Sequence, residues 1–394
     1  MRSTLAFAAA AAFSSLQTGQ ALRILLNNDD GWASANIRET YRQLREAGHE
    51  VLLVAPVVDN SGQGGRVFFT KEGTLMANGE FDSVLKGAPS LGHDKDDVNI
   101  WYYNGTPAAC TFVNLDFVMG EVWPKVDAPD LLVSGPNVGQ NLGGFLYTLS
   151  GTMGATTAAV GRGVPAIAFS AGSNGGQRSY KDVKNPTSAG LDDPATISAN
   201  LTVRFVQQLI ANTPQGDRLL PLGYGISVNY PDITSFQDNK CIDPPFIRTR
   251  MTGGAYSTKA IYDNSSGTFS GENILGVGLN TCINGNCSLR GETDVALKGC
   301  ETAVTIFSVD YDAPDGAETS KIEERLRPLV SSGSTAGNND VSFIGFDGSL
   351  NARADQSDRQ VLTRPRRRVT KAREDGEENG FLCGEHVDRV GGTK

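Results

Sequence analysis

The sequence contains little histidine, no excess of positive charge and no long apolar run. Only three of its 394 residues are His, and their spacing is not that of a metal-binding pair. The formal net charge of −9 argues against a nucleic-acid polymer as partner, because such binding depends on clustered Lys and Arg. No segment after the N-terminus approaches the roughly 18 consecutive apolar residues of a transmembrane helix, so we expect no membrane partner.

Three well-known enzyme signatures are also missing. There is no Gly-x-Ser-x-Gly at a strand-to-helix turn, which counts against an α/β-hydrolase. There is no Walker P-loop, and no glycine-rich string follows the first strand as a dinucleotide fingerprint would. The chemistry must therefore be sought in other residues.

The first 21 residues have the order typical of a secretory signal peptide. Met1-Arg2 is positive, residues 5–13 are apolar and alanine-rich, and small polar residues end at Ala21. We expect the mature chain to begin near Leu22 and to be secreted. The alternative is a buried N-terminal helix.

Six cysteines in an exported chain are compatible with disulfides, but the sequence does not choose their pairing. Cys282 and Cys287 are close enough to close a short loop. Four sequons permit glycosylation if they are exposed. They begin at Asn104, Asn200, Asn264 and Asn286, of which we favour Asn200 and Asn264 because Asn104 lies beside the candidate site.

Short apolar runs alternate with helical patterns through the first half of the chain. An apolar run at 22–27, a helical pattern at about 35–47 and a second apolar run at 50–55 form a βαβ opening. The alternation predicts an α/β fold with a mostly parallel, doubly wound sheet. Its further elements are strands at 100–103, 130–134, 166–170, 225–230 and 303–309, and helices at 107–119, 153–160 and 197–211.

The remaining segments have a different character. Residues 57–99 are Gly-rich and polar, which predicts an insertion over the edge of the site. Residues 231–300 predict hairpins and loops that carry disulfides, and 346–394 form a highly charged tail that we expect to be disordered. We therefore expect one domain over 22–345, with a motif-bearing core at 22–172 and a loop- and hairpin-rich remainder at 173–345.

The first candidate for chemistry is the pair Asp29-Asp30, at the end of the first predicted strand. Adjacent carboxylates repel each other, so either the pKa of one of them is raised or a cation binds to the pair. Such hard oxygen ligands suit Mg²⁺, Mn²⁺ or Ca²⁺ better than Zn²⁺. The pair alone is explained as well by an alternative, in which one Asp caps the following turn and the other is solvated.

Polar residues at other strand ends fall on the same predicted edge of the sheet. Hydroxyl and amide oxygens of Ser61 and Asn137 would complete an oxygen shell around a cation. Residues 150–152, Ser-Gly-Thr, open a helix whose free N–H groups favour a phosphate, although the turn by itself is better explained as a plain N-cap. Thr106 opens another helix, where its hydroxyl either touches substrate or caps.

These motifs, taken in order, resemble the SurE family of 5'/3'-nucleotidases and acid phosphatases. The resemblance is strongest from residue 22 to about 172, with a weaker echo at 293–296. It is carried by Leu25–Gly31, Ala55-Pro56, Ser61-Gly62, Gly105–Pro107, Ser134–Asn141 and Ser150–Thr152.

The resemblance implies a Rossmann-like three-layer α/β/α sandwich with a C-terminal β-hairpin extension, often exchanged in a dimer or larger homo-oligomer. It also implies hydrolysis of phosphate monoesters, nucleoside 5'- or 3'-monophosphates or broader acid-phosphatase substrates, with Mg²⁺ or Mn²⁺, Ca²⁺ being a further candidate. The implied site residues are metal ligands at Asp29, Asp30, Ser61 and Asn137, phosphate contacts at Ser150, Gly151, Thr152, Asn141 and Thr106, and catalytic roles for Asp29, Asp30 and Asp294.

Our mechanistic hypothesis is that the cation polarises the phosphoryl group and lowers the pKa of an attacking water. Two departures from the family pattern, residues 32–36 and Ala109, put the nucleotide preference in question. A Ca²⁺-dependent nucleoside N-ribohydrolase is one alternative, because those enzymes also place Asp pairs after the first strand. A secreted ligand-binding protein that keeps the fold without turnover is the other.

Overall fold

The computed structural model describes residues 20–173, 175–251, 255–276, 288–313, 316–327 and 329. Most of the predicted signal peptide, Cys282, Cys287 and the predicted tail at 346–394 lie outside the described residues. The described helices include none that is long and apolar enough to cross a membrane.

Among the described residues, nine strands form one sheet, in the order β3-β4-β2-β1-β5-β6-β7-β11-β8. Neighbouring strands are parallel except for the pairs β3 with β4 and β7 with β11. The strands are β1 (Arg23–Asn27), β2 (Glu50–Pro56), β3 (Leu91–His93), β4 (Ile100–Tyr103), β5 (Leu131–Val138), β6 (Ala166–Ala171), β7 (Tyr224–Asn229), β8 (Phe246–Thr249) and β11 (Thr302–Ser308).

Helices cover both faces of this sheet, so the expected three-layer α/β/α architecture is confirmed. The side chains of β1 alternate between the two hydrophobic cores, with Ile24 and Leu26 in one and Leu25 in the other. Burial on both faces explains why the parallel strands appear as unbroken apolar runs. The helices are α1 (Ala35–Glu46), α2 (Pro107–Val113), α3 (Met119–Val122), α4 (Gly143–Leu149), α5 (Gly151–Gly161), α6 (Pro194–Ala211), α7 (Glu292–Lys298) and α8 (Ala317–Leu326).

Several elements differ from the predicted ones. Strand β5 continues to Val138, four residues beyond its predicted end, because a bulge at Gly135 lets it pair again with β6. Gly135 has φ +104°, and a Cβ there would lie 2.1 Å from the Phe169 carbonyl oxygen. Helices α4, α7 and α8 were not predicted, α7 lying in the segment predicted to form hairpins and loops, and the predicted helix at 107–119 contains a π-helical stretch at 114–118.

The C-terminal part also contains the expected hairpin. Strands β9 (Ala255–Asp263) and β10 (Thr268–Gly276) pair antiparallel as a separate two-stranded sheet. A disulfide joins Cys241 to Cys300, across 59 residues, while Cys110 is a buried free thiol. The predicted insertion at 57–99 consists mostly of turns, but it contains strand β3 at the edge of the sheet.

Candidate active site

The candidate site lies where the direction of strand order reverses. Strand β1 pairs with β2 on one side and with β5 on the other. Ligands of doubly wound sheets bind at such a switch point, beyond the carboxyl ends of the strands. Asp29 and Asp30 follow β1 directly, beside the bulged end of β5 that carries Asn137.

Asp29 is held by the first turn of α5. Its Oδ1 accepts a hydrogen bond from the Thr152 hydroxyl at 2.7 Å, and its Oδ2 accepts one from the Thr152 amide at 3.0 Å. The carboxylate is 2% exposed. Both contacts come from one neutral residue, so they orient Asp29 without neutralising its charge.

Gly151 permits this close approach of α5. A Cβ at this position would lie 2.8 Å from Asp29 Cβ and 2.9 Å from Pro107 Cγ. Real side chains do not tolerate contacts of that length between tightly packed atoms. The glycine of the Ser-Gly-Thr turn is therefore required because the helix begins directly against Asp29.

Asp30 is held by the end of β5. Its two carboxylate oxygens accept from the Val138 amide at 3.1 and 3.4 Å, and its own carbonyl accepts from Gln177 Nε2 at 2.7 Å. Asp30 is also 2% exposed. Strand β5 reaches Asp30 because the bulge at Gly135 extends it beyond its predicted end.

The two carboxylates lie in an unfavourable electrostatic environment. Burial raises the pKa of Asp29, and burial together with the charge of Asp29 raises the pKa of Asp30 well above its usual range. Asp59 raises the pKa of both further, and Glu80 adds to the effect on Asp30. A bound cation would relieve this accumulation of negative charge.

Asn137 offers an unused oxygen at the same edge. Its Nδ2 donates to the Gly139 carbonyl at 2.7 Å, which fixes the orientation of the amide. Its Oδ1 is buried and accepts no hydrogen bond from the described residues. A buried acceptor without a donor is costly, and a cation would satisfy it.

Ser61 lies in an exposed loop that touches Asp29. The amide of Asn60 donates to the Asp29 carbonyl at 2.7 Å, and the Ser61 hydroxyl donates to Asp59 Oδ1 at 2.7 Å. The hydroxyl oxygen keeps lone pairs for a cation. No cluster of three or more His, Cys, Asp or Glu side chains suited to a metal ion occurs among the described residues, and the candidate set is two carboxylates with one hydroxyl and one amide.

The turn at residues 150–152 has fewer free donors than the sequence indicates. The Thr152 amide donates to Asp29, and the Met153 amide donates to the Ser150 hydroxyl at 3.2 Å. Ser150 is thus an N-cap, and Thr152 positions a predicted metal ligand. A direct phosphate contact by these residues stays a prediction.

The comparisons with known proteins agree with the fold and with the motifs. A family model described as Survival protein SurE matches residues 24–252. An acid phosphatase of Yarrowia lipolytica is 40% identical over 310 residues, which cover 78% of this chain and 84% of that protein. The chain belongs to the SurE family. The family assignment made from the sequence is confirmed.

Two further SurE proteins show how far this similarity extends. A 5'-nucleotidase SurE of Solidesulfovibrio magneticus is 40% identical over 151 residues, 38% of this chain and 50% of that protein. The crystal structure of the SurE protein from Aquifex aeolicus matches with a TM-score of 0.52 at 22% identity, over 78% of this chain and 99% of that one. The similarity to the Aquifex aeolicus structure supports the SurE fold.

Two predicted SurE site residues have other partners in the structure. The Thr106 hydroxyl donates to the Arg66 carbonyl at 2.6 Å and accepts from the Phe68 amide at 3.0 Å, so it ties a surface segment to the start of α2. Asp294 Oδ1 pairs with Lys298 Nζ at 2.5 Å, one turn further along α7. Their proposed contacts with substrate or water stay predictions.

Asn141, by contrast, is buried in a network at the strand ends. Its amide donates to Asn229 Oδ1 at 2.8 Å, and its Nδ2 donates to the Ser170 hydroxyl at 2.8 Å. These contacts join the loop after β5 to the ends of β6 and β7. Asn141 therefore fixes the position of this loop.

The loop in which the chain departs from the SurE pattern is tightly packed. The Trp32 ring is buried against Tyr102, with ring centroids 5.2 Å apart, and its Nε1 donates to Ser83 Oγ at 3.1 Å. Asn36 Nδ2 donates to the Pro136 carbonyl at 3.1 Å. The altered residues thus connect α1 to the insertion and to the bulge of β5.

Sequence reasoning gave no role to three further groups. Asp59 belongs to the polar cluster that supplied Ser61, and its charge acts on both carboxylates, while Glu80 lies further along the predicted insertion and its charge acts on Asp30. Glu292 is fully buried, and burial raises its pKa to about 8. There was little indication of its burial in the sequence, because Glu292 lies in a segment without clear strand or helix periodicity, two residues before the candidate Asp294.

Proposed function

We propose that this SurE protein hydrolyses phosphate monoesters with a divalent cation held by Asp29, Asp30, Ser61 and Asn137. The observation that carries the proposal is the pair of adjacent, 2% exposed carboxylates whose hydrogen bonds come from neutral donors. The names of its relatives, acid phosphatase and 5'-nucleotidase, support the reaction class. The chain is accordingly a phosphoric monoester hydrolase.

The residues of the site have separate tasks in this proposal. Thr152 and the Val138 amide keep the two carboxylates in place before substrate arrives, which lowers the cost of ordering the site. The Ser150–Thr152 turn and Asn141 face the phosphate. When bound, the cation would polarise the phosphoryl group and favour deprotonation of an attacking water.

Asp29→Asn is the decisive variant. The substitution removes a charge and leaves the Thr152 amide and hydroxyl facing a group with only one acceptor oxygen. We expect metal-dependent hydrolysis of p-nitrophenyl phosphate to fall by about a hundredfold or more. The assay compares EDTA-treated protein before and after addition of Mg²⁺, Mn²⁺ or Ca²⁺.

The matched control is Asp217→Asn, which removes the same charge from an exposed turn. It should keep the full rate with every metal. An Asp29→Asn protein that retains the metal-dependent rate of the unchanged protein would overturn the assignment. Base release from nucleosides without phosphate release would instead support an N-ribohydrolase, and thermal stabilisation by monoesters without hydrolysis would support a binding protein.

The preferred monoester is a finer part of the proposal. We infer activity on nucleoside 5'- or 3'-monophosphates or on a broader set of acid-phosphatase substrates, in line with the names of the relatives. A panel that contains AMP, 3'-AMP and p-nitrophenyl phosphate separates the two possibilities. A nucleotidase would show a kcat/KM for one nucleotide isomer well above that for the aryl ester.

Secretion, glycosylation and self-association belong to the proposal as well. Secretion rests on the signal-peptide pattern of residues 1–21. Glycosylation is supported by the exposure of Asn200 on α6 and of Asn264 in the turn between β9 and β10. Expression in a eukaryotic host, followed by mass spectrometry and light scattering of the secreted protein, tests all three.

A further inference from the structure

Glu292 is a buried carboxyl group that the proposed reaction does not use. It lies at the start of α7 with 0% exposure. Its Oε1 accepts from the Gly143 amide at 2.6 Å, and its Oε2 accepts from the Thr305 hydroxyl at 2.8 Å. Thr305 in β11 in turn contacts the hydroxyl of Thr249 in β8 at 2.8 Å.

The contact with Gly143 provides an acceptor for the first backbone N–H of α4. The N-cap of this helix is Leu142, whose side chain accepts no hydrogen bond. Gly143 is buried, and a buried N–H without an acceptor destabilises the fold. Glu292 supplies the acceptor from a distant part of the sequence.

Helix α4 lies between two predicted phosphate-side residues. Asn141 precedes it by two residues, and Ser150 both ends α4 and caps α5. The Ser150 amide donates to the Leu146 carbonyl at 2.8 Å, so α4 and the turn that holds Asp29 are directly connected. A shift at the first turn of α4 would therefore be transmitted to the 150–152 turn.

We propose that Glu292 is a positioning residue: its carboxyl group anchors the start of α4 to α7 and β11, and so sets how the 150–152 turn meets Asp29 and the phosphate. This proposal rests on the proposed phosphomonoesterase function. It assigns a role in the site to a residue beyond the 24–252 segment that carries the family match.

The surroundings of Glu292 favour its protonated form in the folded protein. Burial raises its pKa from 4.5 to about 8. The groups that face it are the Tyr147 phenol from α4, the Thr305 hydroxyl and the Arg250 carbonyl, which accepts from the Glu292 amide at 2.9 Å. The charged groups around these elements are the Arg250 guanidinium, whose Nε donates to the Leu289 carbonyl, and the ion pairs Asp294–Lys298 and Arg290–Glu301.

The Thr305 hydroxyl donates to an ionised Glu292; when Glu292 is protonated, its own O–H becomes the donor to the Thr305 oxygen, and the Thr305 hydroxyl turns to Thr249. Ionisation above about pH 8 removes that donor and places a charge in a buried network. We therefore expect the anchor of α4 to loosen as pH rises through this value. Glu292→Gln keeps the acceptor for Gly143 and a permanent donor for Thr305, so it mimics the protonated form.

The test compares the unchanged protein with Glu292→Gln, Glu292→Ala and the control Glu301→Gln, which removes a carboxylate from a surface ion pair. With Mg²⁺ and p-nitrophenyl phosphate, KM of the unchanged protein should rise by about threefold to tenfold between pH 7 and pH 9. KM of Glu292→Gln should change much less. Glu292→Ala should show a raised KM at every pH, and Glu292→Gln should restore it.

A purely structural role would give a different result. Glu292→Ala would then lower only the folded fraction, and with it kcat, while KM would stay that of the unchanged protein. Such an outcome, or equal pH profiles of KM for Glu292→Gln and the unchanged protein, would overturn the proposal.

A second measurement separates this proposal from the proposed function. Folded Glu292 keeps its proton up to about pH 8, whereas the unfolded chain loses it near 4.5, so rising pH favours the unfolded state across this interval. The Tm of Glu292→Gln should exceed that of the unchanged protein by an amount that grows from pH 4.5 to pH 8, with no such trend for Glu301→Gln. A pH-independent Tm difference would contradict the buried proton.

If the unchanged protein hydrolyses no monoester, the proposed function fails by itself. Inorganic phosphate then replaces the substrate, and its affinity is followed through thermal stabilisation with Mg²⁺. Weaker phosphate binding by Glu292→Ala, restored in Glu292→Gln, would still support the positioning role. Equal affinities would refute it.

Discussion

The motif-bearing region, residues 22–172, and the region that follows it, residues 175–313, build the same sheet in different ways. In the first, β1 and β6 are parallel strands buried on both faces. In the second, β11 runs antiparallel to β7, and Ile306 is 46% exposed between the buried Thr305 and Phe307. The first region therefore has clear sequence signals, whereas the second closes the sheet with weaker ones.

The difference also separates two kinds of contribution to the site. The first region supplies the carboxylate pair and the turn that holds it. The second supplies buried hydrogen-bond partners, such as Asn229 for Asn141 and Glu292 for Gly143. We infer that substitutions of buried residues around the carboxylate pair in the first region act mainly on the reaction, and that those in the second region act mainly on stability and alignment.

The largest effect within this comparison is expected from Gly151→Ala. The added methyl group would meet Asp29 Cβ and Pro107 Cγ at less than 3 Å, so α5 must move away from Asp29. We expect kcat/KM to fall by about a hundredfold, measured with p-nitrophenyl phosphate. Gly144→Ala is the control, because its Cβ meets nothing within 4 Å, and normal activity of both variants would show that α5 does not position Asp29.

Removal of the disulfide tests the second region. The double variant Cys241→Ser with Cys300→Ser opens a loop of 59 residues, and we expect the free energy of unfolding to fall by about 2–4 kcal/mol. Denaturant titration measures this loss. At temperatures well below the Tm, kcat/KM should stay close to that of the unchanged protein. A loss of activity as large as that of Gly151→Ala would break the distinction between the two regions.

The smallest effect is expected from a surface ion pair of the first region. The Asp116 carboxylate accepts hydrogen bonds from Arg162 Nη2 at 2.7 Å and from Arg162 Nη1 at 3.0 Å, but both side chains are about half exposed. Asp116→Asn should lower the free energy of unfolding by less than about 1 kcal/mol and leave kcat/KM unchanged. A larger loss of stability in denaturant titration would mean that this pair connects the helices more strongly than solvent screening allows.

Local sequence patterns determined most strands and helices of the first region to within a few residues. Strand β2 and helix α1 end close to their predicted limits, because burial on both faces and a helical apolar stripe leave direct traces in the sequence. The order of polar motifs at strand ends likewise identified the family and predicted Asp29 and Asp30 as site residues. Helix α4 escaped prediction because its Gly-rich start resembles a loop, and its buried first amide is satisfied by a residue nearly 150 positions away.

Only the tertiary structure decided how the site residues are used. The Ser-Gly-Thr turn indicated a phosphate contact, yet the folded chain directs Thr152 to Asp29, because the sheet order brings the start of α5 against the end of β1. The same order brings the bulged end of β5 to Asp30 and α7 to α4. Sequence alone determined which polar groups occur at strand ends, since these depend on local pattern. Their hydrogen-bond partners and the raised pKa of Glu292 depend on burial and on contacts between distant segments, which exist only in the folded protein.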